Sequence, residues 1–420
     1  MSDTSGMQNY NRTRWLTLVG TILTQLALGS VYTWSLFNGQ LSEKLGEPIS
    51  RVALTFGILS LCLALASSVA GKLQERFGVR TVTIAAGLLM AAGFALTAHS
   101  DNVIMLYISA GVLVGLADGA GYLLTLTNCV KWFPERKGLI SACSIGAYGL
   151  GSLLFKFVCG HLLATEGLQN TFMIWGGVAM VMVIAGALMM KDAPKQENSA
   201  ANANVTREEN SLNDNSNDSR DFTLAEAIRA PQYWMLALMF LTACMSGLYV
   251  IGVAKDIGQS LVKLDALTAA NAVTVIAIAN LSGRLVLGVL SDKMQRIRVI
   301  SIAQIVSLAG MSLMLFTQMN EMMFFLSVAC VAFSFGGTIT VYPSLVSDFF
   351  GLNNMTKNYG LLYLGFGIGS IFASLVASLF GGFAVTFSII TVLLIVSLVL
   401  SATIRLPNKS EAGHNTLQHV

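Results

Sequence analysis

The sequence contains twelve apolar runs, each long enough to cross the hydrocarbon core of a membrane as a helix. A soluble chain carries about 25% charged residues, whereas this chain of 420 residues is 11% charged and 54% hydrophobic. We therefore predict an all-α integral membrane protein with twelve transmembrane helices. The predicted spans are 15–37, 52–71, 81–99, 103–127, 139–163, 171–190, 233–254, 267–290, 298–317, 322–346, 358–380 and 383–404.

A single long polar segment, Lys191 to Arg220, separates six predicted spans from the other six. It is rich in Asn, Ser and charged residues, so it has too few apolar side chains to form a packed core. Thr223 and Glu226 then have the spacing of a capping box, which predicts a short helix before the seventh span. The predicted units are an N-terminal six-helix bundle over 1–190, a flexible linker over 191–231, a C-terminal six-helix bundle over 232–405 and a tail over 406–420.

The positive charges are distributed unequally between the two sides of the predicted membrane. If the N-terminus is cytoplasmic, 19 of the 25 Lys and Arg residues lie on the cytoplasmic side and four on the other. Cytoplasmic loops carry such an excess of Lys and Arg. We therefore predict that both termini, the linker and the tail are cytoplasmic.

The two halves of the sequence repeat one another. The segment from Gly71 to Arg76 resembles the segment from Gly288 to Lys293, and Gly149 and Gly151 match Gly367 and Gly369 at nearly the same offset. Two matches at one offset predict a duplicated six-helix unit. Parallel repeats of this kind are typical of transporters that work by alternating access.

Arg284 lies inside the eighth predicted span, about 12 Å from the polar turn that follows it. An Arg near the bilayer centre costs at least about 2.5–3.5 kcal/mol on insertion scales. Its position in the first repeat is taken by Ser67, so the charge is not part of the shared scaffold. An anion-binding role in a transport pathway is one interpretation, and a snorkelling or purely structural Arg is the other.

Two further charges, Asp118 and Lys156, lie in the fourth and fifth predicted spans. Counted from the loop that joins these spans, their heights differ by about one helical turn, which predicts an ion pair. Two alternatives are a proton-carrying Asp118 and a Lys156 that supplies a second cation to the substrate site. Lys255 and Asp256, at the outer end of the seventh span, are interpreted either as a periplasmic gate or as an exposed loop pair.

The chain carries no pattern typical of an enzyme. Its six cysteines lie in or beside apolar runs without metal-ligand spacing. Its Gly-x-Gly patterns lie within spans, where small residues permit close helix contact. We predict no catalytic site, no metal, no cofactor and no nucleic-acid partner, and we expect a monomer in the lipid bilayer.

The repeated loop segments resemble the cytoplasmic loop motif of the major facilitator superfamily. Glu75 stands where that family usually has Asp, and the second copy has Gln295 near a common Gly position. The resemblance implies a cytoplasmic gate motif that latches the two halves together through carboxylates and cations. The motif residues are Gly71, Glu75, Arg76, Arg80, Gly288, Asp292 and Lys293.

Further segments resemble the oxalate/formate antiporter family, and a bacterial inner-membrane subgroup linked to pyruvate. They are Gly29–Leu36, Trp132–Gly138, Tyr148–Gly151, Pro343–Gly351 and Asn358–Gly360. The resemblance implies a substrate site that contains an Arg, a Lys and a cage of aromatic residues. The Arg matches Arg284, the Lys is replaced by Phe366, and the cage is represented by Tyr32, Tyr122, Phe335, Ile339 and Tyr363.

The missing Lys favours a singly charged substrate. One Arg pairs well with one carboxylate, whereas a dianion would leave a buried negative charge uncompensated. The prediction is a secondary transporter of a small monocarboxylate, such as pyruvate, lactate or formate, by exchange or proton coupling. The alternatives are an oxalate/formate-type dicarboxylate antiporter, a transporter-like carboxylate sensor with an unknown signalling partner, and a cationic drug exporter, which Arg284 opposes.

Overall fold

The computed structural model describes residues 2–133, 137–194, 222–316, 318–351, 355–380 and 382–407 of the chain. Within these ranges the chain is helical and contains no strand. Eleven of the described helices are long and apolar enough to cross a membrane. The prediction of an all-α membrane fold is therefore confirmed.

The N-terminal half begins with a long helix that continues into a 3₁₀ segment, Gly29–Leu36. A π-helical turn, Tyr107–Leu113, joins its fourth and fifth helices. The helices of this half are α1 (Ser2–Leu28), α2 (Asn38–Leu45), α3 (Ile49–Ala98), α4 (Val103–Leu106), α5 (Val114–Trp132), α6 (Lys137–Thr165) and α7 (Gly167–Met189).

The C-terminal half begins with a short helix that is closed by the predicted capping box, since Thr223 and Glu226 each bond the other's backbone N–H. The helices of this half are α8 (Leu224–Ala227), α9 (Pro231–Leu261), α10 (Ala266–Lys293), α11 (Arg296–Phe316), α12 (Glu321–Phe350), α13 (Met355–Phe380) and α14 (Phe383–Thr403).

Helix α3 accounts for two of the predicted spans. Its 50 residues would extend about 75 Å if unbroken, whereas the membrane core is about 30 Å thick. The break is at Gly78, where φ is 79°, a backbone region that glycine adopts most readily. The N–H of Val79 donates to both carboxylate oxygens of Asp192, at 3.0 and 3.1 Å, and this caps the second part of the helix. Counting α3 twice, the eleven helices match the twelve predicted spans.

The connections between helices alternate between two ends of the molecule. The terminal face is the end where α1 begins and α14 finishes, and it includes the connections at Gly78, Phe133, Asp192, Met294 and Gly351. The distal face is the opposite end, with connections at Gly46, Ser100, Glu166, Leu264, Asn320 and Gly382.

The two six-helix bundles meet along two pairs of helices, with α3 packed against α13 and α6 packed against α10. A single core cluster of buried apolar residues runs through both halves. The predicted boundaries of the units stay predictions, because residues 195–221 of the linker and 408–420 of the tail lie outside the described residues. At the end of the linker, Phe222 is buried, and its N–H donates to the carbonyl of Phe350 at 3.0 Å.

Candidate functional site

A small cavity lies between the two halves. All six residues predicted to bind substrate contribute to its wall, although their role in binding stays a prediction. The wall consists of Tyr32, Leu63, Tyr122 and Tyr148 from the N-terminal half and Arg284, Phe335, Ile339, Tyr363 and Phe366 from the C-terminal half.

The three tyrosines of the cavity wall depend on a close approach between the start of the 3₁₀ segment and α6. A Cβ atom added to Gly29 would overlap the backbone carbonyl of Tyr148, so only glycine permits this approach. The approach places the ring of Tyr148 edge-on to Tyr32, with centroids 5.3 Å apart, and edge-on to Tyr122, with centroids 4.8 Å apart. Such edge-to-face pairs contribute about 0.5–1.5 kcal/mol each. The N-terminal half thus presents three tyrosines to the cavity.

The wall formed by the C-terminal half is mainly apolar. Tyr363 stacks on Phe366, with ring centroids 5.3 Å apart and planes inclined by 14°. Phe366 also lies 6.2 Å from the ring of Phe335. This wall therefore offers aromatic surface and one hydroxyl group beside Arg284.

Arg284 is buried, with 7% of its surface exposed. Its Nε donates a hydrogen bond to Oδ1 of Asn280 at 2.8 Å, one helical turn earlier on α10. Its Nη1 has no hydrogen-bond partner among the described residues. No carboxylate of the described part of the chain forms an ion pair with it. Arg284 therefore brings an uncompensated positive charge and a free donor to the cavity.

Asp118 lies behind the cavity wall and is fully buried. The hydroxyl of Tyr148 donates to its Oδ2 at 2.8 Å. Its Oδ1 has no partner among the residues that the structure describes. Asp118 is thus connected to the cavity through a single tyrosine hydroxyl.

The predicted ion pair between Asp118 and Lys156 is wrong in this structure. The ammonium of Lys156 donates to Oδ1 of Asn271 at 2.7 Å and to the hydroxyl of Thr274 at 3.0 Å. These partners lie on α10, so Lys156 bridges the two halves outside the cavity wall. The prediction compared heights along the helices and did not consider the direction in which each side chain points around its helix.

The gate motif lies at the terminal face, away from the cavity. The guanidinium of Arg80 donates to the carbonyls of Leu188 and Met190, at 3.0 and 3.2 Å, within its own half. Arg76 lies over the ring of Phe77 at 5.2 Å. Among the side chains that the structure describes, the predicted latch between the halves is therefore not formed. Its charged members Glu75, Asp292 and Lys293 form no ion pair within this part of the chain. The other two members, Gly71 and Gly288, carry no charge.

Polar bonds between the halves occur instead at the distal face. Nδ2 of Asn38 donates to the carbonyl of Gly252 at 2.8 Å and to Oδ2 of Asp256 at 2.7 Å. The ammonium of Lys255 donates to the carbonyl of Leu36 at 3.1 Å. We call these five residues the distal clasp. Because Asp256 is only 1% exposed, its interpretation as part of an exposed loop pair is wrong.

Two important residues were not predicted as site residues from the sequence. Tyr148 was recognised only as part of a family segment, and nothing in the sequence alone indicated that its side chain faces the cavity. Asn280 had a usable signal, because it precedes Arg284 by four residues and such residues are neighbours on a helix. Within the described residues, no group of three or more His, Cys, Asp or Glu side chains is placed to hold a metal ion.

Comparisons with known proteins agree with this architecture. Residues 17–258 and 248–419 match the family model described as Major Facilitator Superfamily. The chain is 69% identical over 363 residues to "Uncharacterized MFS-type transporter YhjX" of Escherichia coli (strain K12), covering 86% of this chain and 87% of that protein. It is 27% identical over 377 residues to "Oxalate:formate antiporter" of Oxalobacter formigenes, covering 88% of this chain and 83% of that protein.

A solved structure, "Crystal structure of D-xylose-proton symporter", aligns with a TM-score of 0.74 over 94% of this chain and 98% of that one. The sequence identity in this alignment is 14%. At that identity, the likeness shows a shared fold alone.

Proposed function

Because this chain belongs to the Major Facilitator Superfamily, we propose that it is a secondary transporter of a small monocarboxylate such as pyruvate, lactate or formate. The two halves rock around the cavity, which opens alternately to the two sides of the membrane. We infer that the chain is a transporter and not an enzyme.

The observation that carries this proposal is the state of Arg284. A buried guanidinium with a free Nη1 and no carboxylate partner in the described chain offers strong, directed hydrogen bonds to an anion. Arg and carboxylate groups match in shape, so that two parallel N–H···O bonds form. The bond from Nε to Asn280 fixes the orientation of the guanidinium, because it occupies one donor and leaves the remaining donors for substrate.

The number of charges in the cavity favours a monoanion. Arg284 is the one cation among the nine residues of the cavity wall, and Lys156 is bonded to α10 outside that wall. A monocarboxylate on Arg284 leaves the pair neutral, whereas a dicarboxylate leaves one negative charge in a medium of low dielectric constant. The aromatic surface of Phe335 and Phe366 suits the small apolar part of such an acid.

The distal clasp supports alternating access. It joins the two halves on one side of the cavity, whereas at the terminal face the bonds of Gln74 to Asp192 and of Arg80 to Met190 each stay within one half. We therefore propose that substrate reaches the cavity of this conformation from the terminal face. The distribution of Lys and Arg supports a cytoplasmic terminal face in a bacterial inner membrane, where we expect a monomer.

An exchanger of dicarboxylate for monocarboxylate is a second candidate. It is supported by the similarity to a protein named oxalate:formate antiporter. It requires a second cation, which the cavity wall of this conformation does not contain.

The test is exchange by purified protein in liposomes loaded with unlabelled pyruvate. Labelled pyruvate, lactate, formate and oxalate are supplied outside to the wild type, to Arg284→Gln and to Lys156→Gln. A hydrogen bond to a charged group contributes about 1.5–3 kcal/mol, and 1.4 kcal/mol is a factor of about ten. Because Arg284→Gln removes the two parallel bonds proposed above, we expect it to lower monocarboxylate exchange at least about 100-fold.

Lys156→Gln is the matched control, because it removes the other cation within the predicted spans while Arg284 stays in place. We expect it to retain exchange within about threefold of wild type, since the lost bonds lie outside the cavity wall. Exchange of oxalate in preference to monocarboxylates would contradict the monoanion proposal. Binding of a monocarboxylate without flux would favour a sensor.

A further inference from the structure

A buried carboxyl group, Asp118, lies behind one wall of the cavity, and a buried guanidinium, Arg284, lies in another. Tyr148 lines the cavity and bonds Asp118, and Arg284 lies across the cavity from it. Tyr122 lies within electrostatic range of both charged groups. Asp118 has one hydrogen bond and one unpartnered oxygen among the described residues. The structure thus gives this carboxyl group no cation of its own.

The charge balance of the cavity depends on the state of Asp118. If Asp118 is ionised and the cavity is empty, its charge balances that of Arg284. A monocarboxylate that then binds Arg284 creates a net negative charge in a low-dielectric space, which is costly. If Asp118 takes up a proton when the anion binds, the site stays neutral. Binding of the anion therefore raises the affinity for the proton, and binding of the proton raises the affinity for the anion.

Building on the proposed function, we propose that Asp118 is the proton-binding site of this transporter, connected to the cavity by Tyr148. One proton on Asp118 is carried together with one monocarboxylate on Arg284. The transport cycle is then electroneutral symport, and the substrate class is a proton and a monocarboxylate.

The proton reaches Asp118 through the hydroxyl of Tyr148. The O–H bond of Tyr148 breaks as a new O–H bond forms on Oδ2 of Asp118. At the same time Tyr148 takes a proton from a hydronium ion in the cavity, which becomes water. Tyr148 is neutral before and after this step, and the net change is one proton added to Asp118.

Few other groups around Asp118 can exchange a proton. The titratable groups near it are Tyr122 on α5, Tyr148 on α6 and Tyr32 on the 3₁₀ segment. The charged group across the cavity is Arg284. Tyrosines ordinarily titrate above neutral pH, and Arg stays charged. Among these neighbouring groups, Asp118 is therefore the one whose charge changes between acidic and neutral pH.

The coupling between proton binding and monocarboxylate binding is reciprocal, so it can be measured by varying either ligand. In the wild type, the apparent Kd for pyruvate should rise with pH, by up to about tenfold per pH unit where Asp118 loses its proton. Addition of pyruvate to purified protein in weakly buffered solution should make the medium more alkaline. In liposomes, an inward proton gradient should drive accumulation of labelled pyruvate.

Asp118→Asn is the decisive variant, because its amide oxygen still accepts from Tyr148 while its side chain no longer titrates. We expect the Kd for pyruvate to change less than about twofold between pH 5.5 and 8.5, and gradient-driven accumulation to be lost while exchange remains measurable. Tyr148→Phe removes the proton path and should slow gradient-driven accumulation at least about tenfold. Asp256→Asn is the matched control, since Asp256 is another buried carboxyl group with a side-chain bond, and its variant should keep the pH dependence.

The possible outcomes separate this inference from the proposed function. Wild-type protein that exchanges pyruvate with no pH dependence and no proton uptake overturns the proton site and leaves the transport proposal intact. If the Kd for pyruvate keeps its pH dependence in Asp118→Asn, the proton site is likewise overturned and the transport proposal stands. A wild type that neither binds nor exchanges any monocarboxylate overturns both. The proton-uptake measurement uses wild-type protein, so it decides the question even if Asp118→Asn fails to fold.

Discussion

The two halves of the molecule are held together differently at the distal face and at the terminal face. At the distal face, Asn38, Lys255 and their partners form bonds that cross between the halves. At the terminal face, the bond of Gln74 to Asp192 and the ion pair of Arg296 with Asp348 each stay within one half.

The difference indicates which contacts change during transport. Bonds within one half move with that half as a rigid unit, so they persist when the halves rock. Bonds between the halves must break when the cavity opens on that side. The distal clasp and the bonds of Lys156 to α10 are therefore among the contacts that break and re-form, and substitutions in the clasp should alter the balance of conformations.

The largest effect on this balance is expected from Gly57→Val, where α3 approaches α13 near the distal face. A Cβ atom at this position would lie 2.8 Å from Oγ and 2.9 Å from Cβ of Ser374. Overpacking costs about 1–3 kcal/mol, so the ratio of distal-open to distal-closed molecules should rise about 5- to 150-fold. Spin labels at Glu43→Cys and Leu267→Cys, on opposite halves of the distal face, measure the separation. Gly39→Val is the control, because a Cβ atom there meets nothing within 4 Å. An unchanged distance distribution in Gly57→Val would show that the distal contact does not limit closure.

A smaller shift is expected from Asn38→Ala, which removes two hydrogen bonds of the distal clasp. A bond to a charged group contributes about 1.5 kcal/mol or more, which corresponds to about a tenfold shift toward the distal-open state. The same pair of spin labels measures it. Ser42→Ala is the control, since the hydroxyl of Ser42 bonds the carbonyl of Glu47 within the same half. Equal shifts in the two variants would contradict a special role for the clasp.

The sequence predicted the fold better than the contacts of the site. Span positions follow from apolar length, and Arg284 was found because a charge within a span is costly. Asp118 was also found, but its partner was not. The partner of Asp118 depends on the rotation of α5 and α6 about their axes. The sequence pattern around Tyr148 is equally compatible with a side chain that faces lipid and one that faces the cavity. The latch of the gate motif was predicted from a family resemblance, which carries no information on the conformation in which the latch closes.

The smallest effect is expected from Glu75→Gln at the terminal face. Glu75 is exposed and has no ion-pair partner among the described residues, and exposed substitutions of this kind usually change stability by less than about 0.5 kcal/mol. In the distal-closed state we therefore expect the distance between the spin labels to stay the same and exchange to change less than about twofold. Gly57→Val provides the sharper test, because it populates the distal-open state, in which the terminal face must close. If Glu75 latches the halves in that state, adding Glu75→Gln to Gly57→Val should return molecules to the distal-closed distance. If the double variant shows the same distribution as Gly57→Val alone, the carboxylate of Glu75 contributes nothing to either state, and the terminal face closes without a latch at this residue.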